Sequence, residues 1–484
     1  MKQTEFIAYV TQLIGEFGYL LPEMTLIVGS LVVILFDLIY KGQQGQIVKT
    51  ALTLMVLVLA ACAVATITVD GSFLNGVLAQ SALIRNLKWF FILMTALVLL
   101  FPNSKIQSSK GEYHYLILMV LLGAMFLIQV QNLLLFYVSL ELVSITSYVL
   151  IAFSFHRKGF EAGIKYLLFG AMSSGLLLYG LSLMYGLTGS LDIQQLSELV
   201  MLDYDTTWLN MALLLFFVGV FFKLALIPFH IWSPDAYEAG PTAAVAYISV
   251  LPKVAILVFF YHFTSAISNL EPNIIDWRYM ISALAVGSMF VGNLSALWQN
   301  NAKRMLAYSS IAHSGTLLIG VIVGTSFGFQ ALIFYSVVYG FMNLAAFYFV
   351  DWMEENGIET ISGLAGLGVK IPTMGVMITV VLISLVGLPP TGGFTAKLLL
   401  FSSLWDTYLA TDQSYLLWLF VLGILNSAIS LFYYLRIPYY LFLKSRNEDS
   451  PVSVTATRVT WMAVVVALVL VTFFASDVLF AMLF

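Results

Sequence analysis

Residues 241–264 read PTAAVAYISVLPKVAILVFFYHFT, and one residue in that run, Lys253, carries a full charge. An apolar run of about 20 residues is what a helix needs to cross the hydrocarbon core of a bilayer. Similar runs recur along all 484 residues. Hydrophobic residues make up 61% of the chain and charged residues 10%, against roughly 45–50% and 25% in a soluble domain. No water-soluble fold hides that much apolar surface. The chain therefore reads as an all-α, polytopic membrane protein. A β-barrel is excluded, because the runs lack strand alternation and are about 20 rather than about 10 residues long.

Composition removes further classes. The single cysteine, Cys62, excludes disulfide frameworks, thiolate metal clusters and an iron–sulfur cluster held by this chain alone. His114, His156, His230, His262 and His313 are scattered without metal-binding spacing. A net charge of −4 offers no basic surface for nucleic acid. The N-terminus, MKQTEFIAYVTQLIGEF, carries acids inside its apolar stretch and reads as an amphipathic lead-in rather than a cleaved signal peptide. GLAGLG at 363–368 lacks a following Lys-Ser or Lys-Thr and reads as a loop. No Rossmann unit, haem-attachment motif or nucleophile elbow is present.

Fourteen apolar segments are expected to span the membrane: 18–40, 47–69, 80–101, 113–130, 132–154, 160–187, 208–230, 241–264, 276–298, 304–325, 327–350, 372–402, 414–441 and 455–482. Loops after odd-numbered spans hold thirteen basic residues: Lys41, Lys49, Lys105, Lys110, Arg157, Lys158, Lys303, Arg304, Lys370, Arg436, Lys444, Arg446 and Arg458. The opposite side holds four, Lys2, Arg85, Lys88 and Arg278, and its loops include Asp192, Glu198, Asp203 and Asp205. By the positive-inside rule the odd loops are cytoplasmic and both termini lie outside.

The remaining four of the 21 basic residues, Lys165, Lys223, Lys253 and Lys397, fall inside apolar segments, as does Glu141; Asp37 and Glu161 sit near span ends. An ionisable side chain in a bilayer costs several kcal/mol unless it is paired or hydrated. The bland alternative is a lysine snorkelling from a helix end. Lys253 lies twelve residues into its run, about 18 Å from its start, out of reach of either surface. Glu141 is about 14 Å deep, with Ser144 one turn away. Lys223 precedes Pro228 by five residues and Lys397 follows Pro390 by seven. Both lysines thus flank helix breaks, which are tolerated at membrane depth only where they are buried in protein or line a cavity. Lys165 with Glu161 is an i,i+4 pair that serves equally as a plain ion pair. Asp37 reads as interfacial. Burial favours the neutral form of an amine and a nearby carboxylate its charged form. A row of such sites joined by His230, His313, hydroxyls and water is a proton wire.

Spans 4–8 and 9–13 compare as two blocks of five. Span 7 breaks at Pro228, span 12 breaks at Pro389-Pro390, and each carries one deep lysine. Five is odd, so the blocks cross the membrane in opposite senses, as in inverted-repeat transporters. The expected organisation is an N-terminal part over 1–112, a first repeat over 113–264, a second over 276–441, and a last helix over 442–484.

Four stretches, KLALIPFHIWSPDAYEAGPT (223–242), LPKVA (251–255), KRMLAYSSIAHSG (303–315) and GLPPTGGFTAK (387–397), resemble the antiporter-like membrane subunits of respiratory complex I, the proton-translocating NADH–quinone oxidoreductase. That family is related to Mrp-type cation/proton antiporter subunits. The resemblance spans about residues 110–440, and is strongest to the N-type subunits, which have fourteen spans and Lys rather than Glu at the position of Lys397. It implies that Glu141 is the glutamate of span 5 and Lys223 its partner lysine. It implies that Lys253 is the central lysine, that Lys397 lies on the broken span 12, and that His230 and His313 lie near the axis. Lys165 fits a lysine often found on span 6. One departure is EAGPT (238–242), where relatives often read EGAPT. The resemblance further implies no cofactor in this chain, with FMN, iron–sulfur clusters and quinone in partner subunits. The implied partners are other complex I membrane subunits and, through them, the redox arm, in a bacterial inner membrane. Two rivals stay open: a secondary Na⁺/H⁺ antiporter subunit without redox partner, and a structural spacer that conducts nothing.

Overall fold

The computed structural model describes residues 15–40, 43–68, 70–101, 112–198, 206–268, 275–445 and 452–484. Most of the expected N-terminal lead-in lies outside the described residues, as do Lys2, Lys41, Lys105, Lys110, Arg446, Asp203 and Asp205. A 3-10 turn, Phe17–Leu20, opens into α1 (Leu21–Ile39). Then come α2 (Gln43–Thr66), an antiparallel hairpin of β1 (Gly71–Phe73) and β2 (Leu78–Gln80), and α3 (Ala82–Leu99). The next helices are α4 (Glu112–Leu127), α5 (Leu133–Ala152), α6 (Arg157–Thr188), α7 (Ile193–Glu198), α8 (Thr206–Lys223), α9 (Trp232–Ala239), α10 (Thr242–Ile248) and α11 (Leu251–Ile267). The chain continues with α12 (Trp277–Leu297), α13 (Ala302–Val323), α14 (Ser326–Glu355), α15 (Pro372–Val386), α16 (Gly392–Thr411), α17 (Ser414–Pro438), α18 (Ala456–Phe474) and α19 (Ser476–Leu483).

This is an all-α, multi-pass membrane protein. Among the described residues, twelve helical stretches are long and apolar enough to cross a bilayer, and α4 and α15 are shorter apolar helices. Polar caps set many of the helix starts. Asn132, Asn301 and Thr325 accept backbone N–H groups of α5, α13 and α14. The stretches Thr242–Ile267 and Ser326–Glu355 are buried along their whole apolar windows, and Ala302–Val323 along 94% of its own. The peripheral helices instead present large apolar side chains outward, such as Val28, Leu31 and Leu35 on α1 and Ile164, Leu168 and Met172 on α6. Lipid accepts those side chains at no solvation cost, so burial here separates the centre of the bundle from its rim.

Three spans are interrupted, each for a local reason. After α8, Ala225 has φ +56° and Pro228 offers no N–H. The freed groups find partners elsewhere: Ile227 N donates to Ser288 Oγ (3.0 Å) and Trp232 Nε1 to Phe222 O (3.2 Å). Between α15 and α16 stand Gly387, at φ +87°, and Pro389-Pro390. Gly393 N donates to Ser384 Oγ (3.2 Å), and a Cβ on Gly393 would lie 1.8 Å from Ser384 O, which only glycine avoids. The third break corrects an expectation. The run 241–264 is not one helix: it stops at Ile248 and restarts at Leu251. Pro252 has no N–H for Ile248 O, four residues back; Val250 N turns to Tyr247 O (3.2 Å), and Ser249 Oγ donates to Ala246 O (2.8 Å).

Several basic residues assigned to loops belong to helices. Lys88, counted among the charges of the outer side, is fully buried within α3, with Nζ 2.8 Å from Glu23 Oε1 of α1. Gln129 Nε2 donates to the same oxygen (2.7 Å). Lys49 lies in α2, buried, and pairs with Asp37. Lys303 opens α13 and pairs with Glu354 of α14 (2.7 Å). Arg458 opens α18 and its Nη2 reaches Asp351 (2.9 Å) and Glu355 (2.7 Å). Each cation ties two helices together, so these residues belong to the helix packing and not to the loop charge.

Removing one partner of a buried pair strands the other charge, at a cost of about 3–5 kcal/mol. Lys88→Met or Glu23→Gln alone should therefore sharply lower the yield and thermal midpoint of the detergent-solubilised chain. The double variant should recover most of the loss, as read by fluorescence-detected size-exclusion melts.

Candidate functional site

The deep lysines occupy three different polar environments. Lys223 ends α8 and is buried. Its Nζ donates to Tyr148 Oη of α5 (2.7 Å). The negative end of the α8 dipole also favours the ammonium. Glu141, one face along α5, does not touch it. Instead Glu141 accepts a short hydrogen bond from Ser174 of α6. Ser144 turns to the backbone carbonyl of Leu140 and not to Glu141. Among the described residues no carboxylate pairs with Lys223: Tyr148 holds Lys223 and Ser174 holds Glu141.

Lys253 stands at the third position of α11, where the helix dipole opposes a positive charge. Three acceptors on α13 offset this: Ser310 Oγ (2.7 Å), Ser314 Oγ (2.9 Å) and Ser310 O (3.2 Å). Ser310 Oγ also accepts from Tyr339 Oη (3.0 Å). Asn343 Nδ2 donates to Ser249 Oγ at the α10–α11 break (2.6 Å). Tyr335, Tyr339 and Asn343 recur every four residues and so share one face of α14.

His313, one turn beyond Ser309 and Ser310, is buried. Its Nδ1 lies 2.8 Å from Tyr335 Oη and its Nε2 3.1 Å from Tyr434 Oη of α17. Tyr434 makes a short hydrogen bond to Ser309. A narrow polar cavity lined by Asn293, Thr316, Asn426, Ser430 and Tyr433 lies between His313 and Lys397. Lys397 Nζ donates to Val386 O (2.6 Å), the last carbonyl of α15, and again meets the negative end of a helix. On its other side Lys397 lines a cavity of about 530 Å³ with Trp405, Asp406 and Phe420. Lys253, His313 and Lys397 are thus brought into one polar line, with Lys223 and Glu141 in a second cluster.

His230 and the pair Glu161–Lys165 lie apart from that line. His230 sits half-buried in the break after α8, and its Nδ1 has no partner among the described residues. Lys165 lies within the candidate span Arg157–Thr188 and is exposed on the surface of the bundle. It pairs with Glu161 (2.9 Å) and Asp235 (3.3 Å). Arg304 joins Asp235 (2.9 Å) and Glu238 (2.8 Å), closing a five-residue charge network beside a cavity of about 560 Å³. A further cavity of about 350 Å³, lined by Thr242, Lys303, Asp351, Glu354 and Arg458, lies next to it.

Sequence inspection missed Tyr148, Ser174, Ser310, Ser314, Tyr339 and Tyr434. The four-residue spacings of Ser310–Ser314 and Tyr335–Tyr339–Asn343 were visible signals. Tyr148, Ser174 and Tyr434 had none, because their partners are remote in the chain.

Fold and site define a helical multi-pass membrane protein with buried basic groups joined by hydroxyls. The family model described as NADH:quinone oxidoreductase/Mrp antiporter, transmembrane region, matches residues 130–430. The NADH-quinone oxidoreductase subunit N of Chlorobium chlorochromatii is 38% identical over 459 residues, covering 91% of this chain and 88% of that one. A chain in the structure of respiratory complex I from Thermus thermophilus aligns with TM-score 0.78 and 29% identity, over 95% of this chain and 98% of that one. A chain of the Mrp complex from Dietzia has the same fold, with TM-score 0.81 at 20% identity over 97% and 96%. The chain belongs to the NADH:quinone oxidoreductase/Mrp antiporter transmembrane family.

A hydrogen bond to a charged group contributes about 1.5–3 kcal/mol. Ser310→Ala with Ser314→Ala removes both hydroxyl acceptors of Lys253 and should lower the thermal midpoint of the solubilised chain. Adding Lys253→Met to that background should raise it again, since the stranded ammonium is gone.

Proposed function

We propose that this chain is the N-type, proton-translocating membrane subunit of an NADH–quinone oxidoreductase. Family membership and the named relative at 38% identity support the complex. The observation that carries proton transfer is the line Lys253–Ser310, His313 between Tyr335 and Tyr434, and Lys397 beyond a polar cavity. Hydroxyl and imidazole groups both donate and accept, so such a line passes protons by rotation and exchange. Glu141 modulates Lys223 through Tyr148, and protons pass from Lys223 through Lys253 and His313 to Lys397 and out. His230, Glu161 and Lys165 serve at the approaches, where the charged cavities beside Asp235 and Glu238 collect protons from the cytoplasm.

Electron transfer, with FMN, iron–sulfur clusters and quinone, belongs to partner subunits that this chain reaches through neighbouring membrane subunits. The chain crosses a bacterial inner membrane fourteen times with both termini outside. It is built from an N-terminal part (1–112), two inverted five-helix repeats (113–264 and 276–441) and a last helix (442–484). The Mrp-type reading draws on a likeness of fold at 20% identity, whereas the complex I reading draws on closer relatives.

Purification of the tagged chain from native membranes in mild detergent should bring down NADH–quinone reductase activity with flavin and iron–sulfur absorbance. Recovery with small membrane proteins alone would favour the antiporter. In the reconstituted complex, Glu141→Ala, Lys223→Ala and Lys253→Met should each lower protons translocated per NADH oxidised. An unchanged ratio in Lys223→Ala would overturn the proton path.

A further inference from the structure

Lys223 is 7% exposed and makes one hydrogen bond, to Tyr148. Three aromatic rings surround the rest of its ammonium. Nζ lies 4.7 Å from the Tyr148 ring centroid, 5.6 Å from Tyr166 and 5.4 Å from Phe222. These distances are within the roughly 6 Å over which a ring face attracts a cation, most strongly when water is excluded.

The rings are fixed by their own packing. Tyr166 of α6 stacks flat on Trp232 of α9, with centroids 3.9 Å apart and planes 2° apart. Tyr148 meets Tyr166 edge-on at 4.5 Å. Trp232 Nε1 in turn holds Phe222 O. Gly170 clears the space for the Tyr148 hydroxyl, since a Cβ there would come within 2.0 Å of it. Four elements, α5, α6, α8 and α9, thus converge on one ammonium, while Glu141 is engaged by Ser174.

We propose, resting on the proton path above, that Tyr148, Tyr166, Phe222 and Trp232 form an aromatic cage that positions Lys223 and stands in for a counter-ion while Glu141 is held by Ser174. Tyr148, Tyr166 and Phe222 face the ammonium directly. Trp232 acts through Tyr166, as the stacked plate behind it. The cage lets the lysine carry charge in a buried site without a fixed carboxylate.

The test uses the intact complex in inverted membrane vesicles. Protons translocated per NADH are measured beside the NADH oxidation rate of uncoupled vesicles, with subunit content read by immunoblot. Tyr166→Leu and Trp232→Leu should lower the proton ratio to the level of Lys223→Ala, and Tyr166→Phe should rescue it by restoring the ring face. Tyr166→Leu combined with Lys223→Ala should be no worse than Lys223→Ala alone. Should Tyr166→Leu fail to assemble, Trp232→Leu with its rescue by Trp232→Phe carries the same comparison. Wild-type ratios in the assembled leucine variants, beside a lowered ratio in Lys223→Ala, would overturn the cage and leave the proton path standing. A normal ratio in Lys223→Ala would overturn both.

Discussion

An ammonium inside an apolar helix bundle must find its acceptors on other helices. At the centre of a span the cost of a lysine without them is about 2.5–3.5 kcal/mol by insertion measurements and larger by simulation. The structure meets this demand in graded ways. Lys88 and Lys303 have carboxylate partners. Lys223 has a tyrosine oxygen and ring faces. Lys253 has two serine hydroxyls and a carbonyl, and Lys397 has a helix-end carbonyl. A permanent ion pair holds its proton firmly. The three lysines of the proposed path rest on neutral acceptors instead, which hold a charge without locking it.

The broken helices follow from the same demand. A continuous helix uses all of its backbone groups internally and presents only side chains to its neighbours. Interrupting α15 exposes Val386 O for Lys397, and interrupting α8 exposes Phe222 O for the Trp232 indole. The interruption before α11 brings Ser249 into contact with Asn343. The interruption before α11 lies where protein surrounds the backbone, since the apolar window of Thr242–Ile267 is fully buried, whereas Pro228 and Pro389-Pro390 stand exposed at the other two. Lipid could not satisfy the groups such breaks release.

Much of this was legible beforehand. The apolar runs located the helices, because crossing a bilayer demands length and hydropathy that no other setting does. Lys223, Lys253 and Lys397 stood out because a charge in such a run is costly. Pro228 and Pro389-Pro390 marked two of the breaks, and Pro252 stands at the third. Lys88, Lys49 and Arg458 were counted with the flanking charges although the expected spans 80–101, 47–69 and 455–482 contain them, because nothing local shows the carboxylate across from each. Lys165 lies in the candidate span Arg157–Thr188, where its expected pairing with Glu161 is joined by Asp235, a residue remote in the chain.

The sequence by itself thus determined the class of protein, the approximate places of its helices and the deep charges, since each depends on a residue and its near neighbours. Tertiary structure alone decided which groups those charges meet: Tyr148 rather than Glu141 at Lys223, serines at Lys253, and tyrosines on both sides of His313. Those partners come from helices remote in sequence. An ammonium accepts a carboxylate, a hydroxyl, a carbonyl or a ring face, so its need for a partner is local, while the choice among them rests on how the helices pack.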